Sequence, residues 1–523
     1  MIRIVVIGYG PVAARFIEGM LPALRAGEVS VTVMGAETED AYNRVLVAEY
    51  AVGRADRSRL DITDTAAAIA AGAEIHLGEA AVAIDRDLRT VRTSAGRRIP
   101  YDRLVLATGA RANIPTLAGM ERARRERTVR AEAPAALDEG ARPLPSGVHA
   151  LRDLSDATSV LATVRAGGRI VILGAGVLGL EFALAAREQG AQVVVVHHGD
   201  IPMPRNLDLG GGRILARAAR EAGIEIAPHS RAESVLLRTD ENDPHPRFDA
   251  LVCADGKQIA GDLLLLSVGV TARTELAAAC GLAVAAGILV DGVGRSWSDP
   301  DVFAIGDCAQ IADPAAYTDH DRVPGAPSGL IGPGWRQADA LADMLSGRPV
   351  AATNERPSVV MLKAEGVDIV AGGDVSADLW DEGAHTDGCV DAPQVTQWAD
   401  PARGTYVKMV TRAGVLTGFV AVGLPRTGAE LTLLFERGSE LPADRSVLLR
   451  LDADDAGASV SADPFAADAT VCWCNGVTAG RIGEAVSQGA DSVECVAART
   501  RAGTGCGGCR GRIAELLART AAV

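Results

Sequence analysis

Two pairs of cysteines stand near the end of the sequence: Cys472-Trp473-Cys474-Asn475 and, after 31 further residues counted from Asn475, Cys506-Gly507-Gly508-Cys509. Four thiolates from two short loops suit a tetrahedral zinc or a [2Fe–2S] cluster equally well. The glycines free backbone N–H groups to bond cluster sulfurs, which helps set a potential. A second kind of chemistry is offered by two glycine turns. Gly8-Tyr9-Gly10-Pro11-Val12-Ala13 follows an apolar run at residues 4–7. There Gly8 lets the chain bend sharply, Gly10 leaves room for a pyrophosphate, and the small Ala13 lets helix and strand pack closely. Pro11 is tolerated because the first helical position needs no N–H donor. Glu37, after the next strand, can bond ribose hydroxyls. Taken alone, such a pattern is as often a plain tight turn.

Gly174-Ala175-Gly176-Val177-Leu178-Gly179 is the full pattern. Glu181 follows in the first helical turn, where an acid also simply complements the helix dipole. His197 and His198 end the following strand, where an NAD-selective site usually carries an acid. A histidine there can bond ribose hydroxyls or meet a 2′-phosphate, which leaves NADH and NADPH both open; two exposed histidines without a ligand is the plainer alternative.

The elements that must hold these residues follow from periodicity. Strand, glycine turn, helix and strand occupy residues 4–34 and recur at 169–196, so the chain carries two nucleotide-binding domains. Residues 120–146 are charged and rich in Arg, Ala and Pro, which predicts an irregular surface insertion between them. Strand-like pieces at 406–411 and 415–422 mark a third region, about 355–425. Residues 426–470 read as a connecting segment. Its end, 451–470, holds five Asp and no Lys or Arg, the composition of a mobile linker. The tail, 471–523, has six Arg and four acids, a net +2. It is a weakly basic module on an acidic tether, able to dock on its own chain or a partner, unless this is ordinary surface charge.

Composition narrows the class. A length of 523 residues predicts three or four domains, and 48% hydrophobic residues exclude disorder for most of it. Only 3% aromatics with 58 Gly favours Ala/Val/Gly-rich α/β layers over aromatic-filled barrels. A net charge of -15 argues against nucleic-acid binding. No apolar run reaches the ~18 residues of a membrane span, and the N-terminus reads as a strand, not a signal peptide. A soluble cytoplasmic protein is expected. Of the nine Cys, five lie between Cys472 and Cys509, a cluster that points to a metal or redox centre more than to a disulfide framework. Cys253, Cys280, Cys308 and Cys389 read as scattered buried residues, and Cys495 as a packed side chain out of register with the pairs.

Two further stretches separate the turns. Tyr101 to Ala110, with Ala107-Thr108-Gly109, resembles the "ATG" strand of two-dinucleotide-binding-domain flavoproteins, the FAD/NAD(P)-dependent pyridine nucleotide-disulfide oxidoreductase type. Ser298-Asp299-Pro300-Asp301-Val302-Phe303-Ala304-Ile305-Gly306-Asp307 is similar to their second FAD motif. There the Asp bonds the ribityl chain and glycine backbone meets the pyrophosphate. The resemblance implies a discontinuous FAD domain (1–115 and 270–345) and an NAD(P)H domain at 147–269. The insertion at 116–146 departs from it, being longer over 120–146 than the family's usual link, and is either a docking element or of no function.

Within that superfamily the chain resembles the flavoprotein part of assimilatory nitrite and nitrate reductases. Ala41-Tyr42-Asn43-Arg44-Val45-Leu46 is similar to their "YNRVLL" loop, which would put Arg44 beside the FAD. Gly78 through Asp85 looks like the strand that meets the adenine near Ala81. Leu362-Lys363 with Gly366-Val367-Asp368 resembles the start of their C-terminal domain, and Gly329 through Ala338, with Trp335, the helix aimed at the flavin. The His197 strand end is also similar to this subfamily, which favours NADH. The tail resembles the bacterioferritin-associated-ferredoxin-like [2Fe–2S] domain, so Cys472, Cys474, Cys506 and Cys509 are the expected ligands and structural zinc the alternative.

The implied fold is α/β: two Rossmann-like dinucleotide-binding domains, a small α+β C-terminal domain and a small helical four-cysteine [2Fe–2S] module. The implied route runs from NAD(P)H over Gly174, Gly176 and Gly179, with Glu181 and Gly269 near the nicotinamide, to FAD, to the cluster and to a partner. The leading partner is the molybdenum-containing catalytic subunit of an assimilatory nitrate reductase. The alternatives are a ferredoxin or rubredoxin reductase and a cluster-based binding or sensor module. No cysteine pair follows the first strand–helix unit, so a disulfide-reductase mechanism is not expected. Nor is nitrite reduction, since no sirohaem-binding half follows the module.

Overall fold

The computed structural model describes the chain except residues 121–143, 241–242, 316, 318–322, 351–358, 365–366, 381–391, 453–464, 468, 473–474, 506 and 522–523. Apolar runs at Ile2–Ile7, Val29–Gly35, Glu74–Leu77, Arg103–Leu106 and Val302–Ala304 form one parallel five-stranded sheet. Residues from both ends of the expected FAD domain thus share one sheet, with Val302–Ala304 at its edge beside Arg103–Leu106. The register pairs Ile7 with Met34 and with Leu106, and Leu106 with Ala304. The carboxyl ends of these strands therefore lie side by side. Gly8, Thr108-Gly109 and Gly306-Asp307 begin where those strands stop, so pairing alone gathers three motifs from distant sequence at one sheet edge.

A second parallel sheet repeats the arrangement, in the order Glu225–Ala227, Gln192–Val196, Arg169–Leu173, Leu263–Leu266, Val148–His149. Its strands are buried throughout their middles, as parallel strands covered on both faces must be. In sequence order this sheet begins with Val148–His149 and ends with Leu263–Leu266. The crossover between the domains is a two-stranded ribbon, Ala110–Ala112 against Val270–Ala272. The ends of the expected insertion are not loose surface. Leu117 and Met120 are buried in the second domain's core, and Ala118 bridges to Ser234.

The third sheet is antiparallel, with Gln394–Asp400, Thr405–Arg412, Val415–Val422, Val367–Gly373 and Val359–Ala364 in spatial order. The expected end of this domain at 425 needs correction. Helix Pro425–Arg437 lies across the sheet, with Leu431 and Phe435 in its core, and Leu448 of Ser446–Leu449 joins them. Each such side chain contributes roughly 1.5–3 kcal/mol by leaving water, so this stretch is domain and not connector. The sheet's other face packs on helix Leu209–Glu221 of the second nucleotide domain, where Gly210 and Gly211 let Tyr406 approach.

The tail is a small unit of strands Thr470–Cys472 and Val477–Thr478 and helices Ala479–Ser487, Val493–Thr500 and Arg510–Ala521, around Val471, Ile482, Val496 and Ile513. Cys495 is exposed on its helix, contrary to the packed side chain expected, because Val496 takes the inward position. Among the described residues no helix is long and apolar enough to cross a membrane.

Candidate electron-transfer site

Both glycine turns have the geometry their residue types predict. Gly8 has φ +104°, and a Cβ there would sit 2.3 Å from the Ala107 carbonyl oxygen. Gly174 has φ +113°, with the Ser267 oxygen 2.2 Å from such a Cβ. The second glycine of each turn faces open space. A Cβ on Gly10 would meet only Arg44 Nε at 3.9 Å, and one on Gly176 nothing within 4 Å. The third position is packed: Ala13 is fully buried, and a Cβ on Gly179 would lie 2.7 Å from the Gly174 oxygen. A cradle that only a missing side chain keeps open, at the start of helices Pro11–Arg25 and Val177–Glu188, fits a dinucleotide pyrophosphate at each turn.

A cleft of about 2580 Å³ runs from the first turn across the molecule to the cysteine module. Gly8, Gly10, Ala13, Glu37, Arg44, Ala81, Thr108, Gly109, Glu181, Gly306, Asp307, Cys472 and Cys509 all line it. Glu37 is held at its mouth from two sides. Tyr42 donates its hydroxyl to Oε2 at 2.9 Å, while Arg44 pairs with Oε1 and stacks 4.8 Å from the Tyr42 ring. Burial pushes the Tyr42 phenol well above its ordinary pKa. Arg44 also donates to the Arg152 carbonyl at 3.1 Å, and Arg152 pairs with Asp307 at 3.2 Å. Gly306 donates to Gln337 Oε1 at 2.7 Å and has φ +77°. Thr108 donates its hydroxyl to the Arg273 carbonyl at 2.9 Å, tying the "ATG" turn to the crossover.

Arg44, Arg111, Arg152 and Arg273 form a cationic group of which the sequence singles out only Arg44. Burial, then the neighbouring Arg111, Arg152 and Arg44, depress the Arg273 guanidinium. Arg44, Arg111 and Arg152 are paired with Glu37, Glu275 and Asp307, and Arg273 adds a further guanidinium beside them, which suits a partly anionic occupant such as the phosphates of FAD. No spacing rule joins residues so far apart in sequence. Their one local trace is the "YNRVLL" likeness around Arg44.

Several expected site residues lie elsewhere. Trp335 is buried and does not line the cleft; its indole N–H donates to the Pro11 carbonyl at 3.3 Å, bracing the first turn from behind. Its neighbours Gly332, Pro333 and Arg336 face the cleft, as do Ile331, Asp339, Ala340 and Asp343 of the same helix. Gly269 has φ +91° and sits at the crossover, its carbonyl taking the Asn113 N–H at 3.0 Å. His197 is 7% exposed, and its Nε2 has no hydrogen-bond partner among the described residues. Burial and then the charges of His198, His229 and Arg220 lower its pKa. His198, one residue on, is the exposed member of the pair.

In the module, Cys472 and Cys509 are buried side by side, and Cys509, ahead of backbone and Asn475 N–H groups, draws the Cys472 thiol toward its anion. A pair of facing thiols with one readily ionised fits a thiolate-held cluster. Cys474 and Cys506 lie outside the described residues. Asn475, which in sequence is only one letter of the motif, donates to the Arg501 carbonyl at 2.7 Å and contacts Cys472 Sγ at 3.8 Å.

Two parallel nucleotide folds sharing one cleft with a thiol pair define a class. Residues 2–327 match the model of the pyridine nucleotide-disulphide oxidoreductase family, to which the chain belongs, and residues 470–519 match the BFD-like [2Fe-2S] binding domain. The chain is an NAD(P)H-dependent flavin oxidoreductase that carries a [2Fe–2S] domain. It is similar to the large subunit of nitrite reductase [NAD(P)H] of Klebsiella oxytoca, 30% identical over 98% of this chain and 48% of that protein. It is also similar to the assimilatory nitrate reductase electron transfer subunit of Bacillus subtilis, 26% identical over 98% of this chain and 59% of that one. The chain thus spans about half the length of these relatives. The covalent putidaredoxin reductase–putidaredoxin complex shares the fold at a TM-score of 0.67 and 22% identity, over 86% of this chain and 95% of that one.

Proposed function

We propose that this chain is the electron-transfer component of a nitrate-assimilating system, using NADH in preference to NADPH and acting in the cytoplasm. Its partner in this reading is a separate molybdenum-containing catalytic subunit. When bound, the nicotinamide nucleotide supplies electrons in pairs, FAD releases them singly, and the [2Fe–2S] cluster hands them on. The observation that supports the reading is the single cleft, which joins the first glycine turn, Glu181 of the second nucleotide domain and the Cys472–Cys509 pair.

The chain's own residues divide the work. The N–H groups after Gly10 and Gly176 face the pyrophosphates, and Glu37, fixed by Tyr42 and Arg44, is set to take ribose hydroxyls. Arg152 orients Asp307, the residue assigned to the ribityl chain. Arg273, beside the pairs Arg44–Glu37 and Arg152–Asp307, holds positive charge at the cleft, where it would favour negative charge on a bound flavin nucleotide. Glu181 is half-buried on the wall between the two nucleotide sites. Trp335 keeps the first turn in shape through Pro11. The name of the Bacillus subtilis relative supports the choice of partner.

Stopped-flow spectroscopy with NADH tests the route: flavin bleaching precedes cluster reduction, and Cys506→Ser removes the second phase alone. Loss of both phases in that variant overturns the order. Affinity capture from nitrate-grown cells tests the partner, and recovery of only a ferritin-like protein overturns it.

A further inference from the structure

Asn43 is 1% exposed, yet it belongs to neither glycine turn and does not line the cleft. A buried amide needs partners for two N–H donors and one oxygen. Its Oδ1 accepts the Val45 N–H at 3.1 Å and so caps the short helix Arg44–Leu46. Its Nδ2 donates to the Thr504 carbonyl at 3.1 Å and to the Gly505 carbonyl at 2.8 Å. These two carbonyls belong to the loop that immediately precedes Cys506. A single planar amide spanning two consecutive carbonyls accepts the loop in one orientation. Arg501, where the same loop begins, pairs with Glu18 of helix Pro11–Arg25 at 2.8 Å. Inside the module Asn475 grips that loop from the other side, through the Arg501 carbonyl and, at 3.3 Å, the Thr504 hydroxyl, and it touches Cys472.

We propose that Asn43 is a positioning residue that seats the cysteine module on the flavin domain and thereby fixes the path by which an electron reaches the cluster. The proposal rests on the electron route given above. Asn43 adjoins Arg44, which is bonded to Glu37, so one turn of chain touches the flavin's ribose partner on one side and the cluster loop on the other. In the step concerned, one electron would pass from reduced flavin to the oxidised cluster; no heavy-atom bond changes, and the proton held on the reduced flavin passes to solvent by the time the flavin is fully reoxidised. A second transfer follows once a one-electron acceptor protein has reoxidised the cluster.

Asn43→Asp in the holoprotein separates the latch from the fold. The carboxylate has the same shape and still caps Val45, but it sets an acceptor against two carbonyls. Amide hydrogen exchange at 501–505 is expected to quicken by about tenfold or more, with helix Pro11–Arg25 unchanged. In stopped flow, NADH bleaches the flavin at an unaltered rate while cluster reduction slows by about tenfold or more. A second arm uses the ion pair: Arg501→Glu slows cluster reduction, and Glu18→Arg with Arg501→Glu restores it. Exchange and cluster reduction both within about twofold of the unaltered protein, or flavin bleaching slowed as much as cluster reduction, overturn the proposal. So does failure of the charge swap to restore the rate. If NADH never reduces the cluster in the unaltered protein, the electron route itself fails, while exchange in Asn43→Asp still decides the latch.

Discussion

The two glycine turns agree bond for bond where backbone is concerned and part company where side chains begin. Gly8 donates to the Met34 carbonyl and Gly174 to the Val196 carbonyl, each at 2.8 Å. Ala107 and Ser267 donate to Ile7 and Leu173, again each at 2.8 Å. At the end of the second strand the likeness stops. In the first domain Glu37 reaches the cleft and is bound by Tyr42 and Arg44. In the second, His197 folds inward, its Nε2 unpaired among the described residues, and His198 stays in solvent. The comparison teaches that the phosphate cradle is a backbone device and tolerates no change, whereas recognition of the ribose is a side-chain device with a different chemistry in each domain.

Substitution at the first glycines breaks the comparison hardest. Gly8→Ala and Gly174→Ala each force a methyl into a carbonyl at positive φ, at a cost on the order of 3 kcal/mol. Gly8→Ala should lose flavin, read as flavin per chain after gel filtration. Gly174→Ala should keep flavin and lose its reduction by NADH. Equal flavin loss in both would show that the two cradles do not serve different nucleotides.

The second glycines sharpen it. Gly10→Val and Gly176→Val point into open space, so the unfolding free energy of the nucleotide-free protein moves by less than about 0.5 kcal/mol, as at an unconstrained surface site. Each should nonetheless weaken its own nucleotide by about tenfold or more, 1.4 kcal/mol per decade. Titration calorimetry with NADH, and FAD rebinding to the stripped protein, read the two separately.

The smallest effect concerns protons. His197 has a folded-state pKa below its ordinary 6.5. The unfolded chain therefore binds the proton more readily, and stability falls as pH drops from about 6.5 toward the lower folded value. The slope stays under about 1.4 kcal/mol per pH unit, and His197→Gln should remove it in urea titrations across that window. An unchanged slope would place the titrating group elsewhere.

The parts of this molecule that could be read from sequence are those in which one short stretch carries its own constraint. A glycine beside a crossing strand, an apolar run, or a Cys pair with glycines states its requirement within a dozen residues. Of the cluster of Arg44, Arg111, Arg152 and Arg273 only Arg44 carries such a mark, since the other three are brought to it by the fold and not by neighbouring sequence. Trp335 lies in the expected helix but on the face turned from the cleft, because the helix phase is set by Val12 packing against Gly334 and Gly306. Helix Pro425–Arg437 reads as connector in sequence because its apolar residues face a sheet built from strands well before it. Asn43 stands within a recognisable motif, yet its partners lie 461 and 462 residues away.

One core unites Leu46 and Val47 of the flavin loop, Leu180 of the second nucleotide domain and Val420 of the antiparallel sheet, while the cysteine module keeps a core of its own. The body holds further cores besides this one, so in a calorimeter the module is expected to give a transition separate from those of the body. A chain that lost or exchanged the module would keep those cores, yet Asn43 would be left without the two carbonyls to which its amide donates.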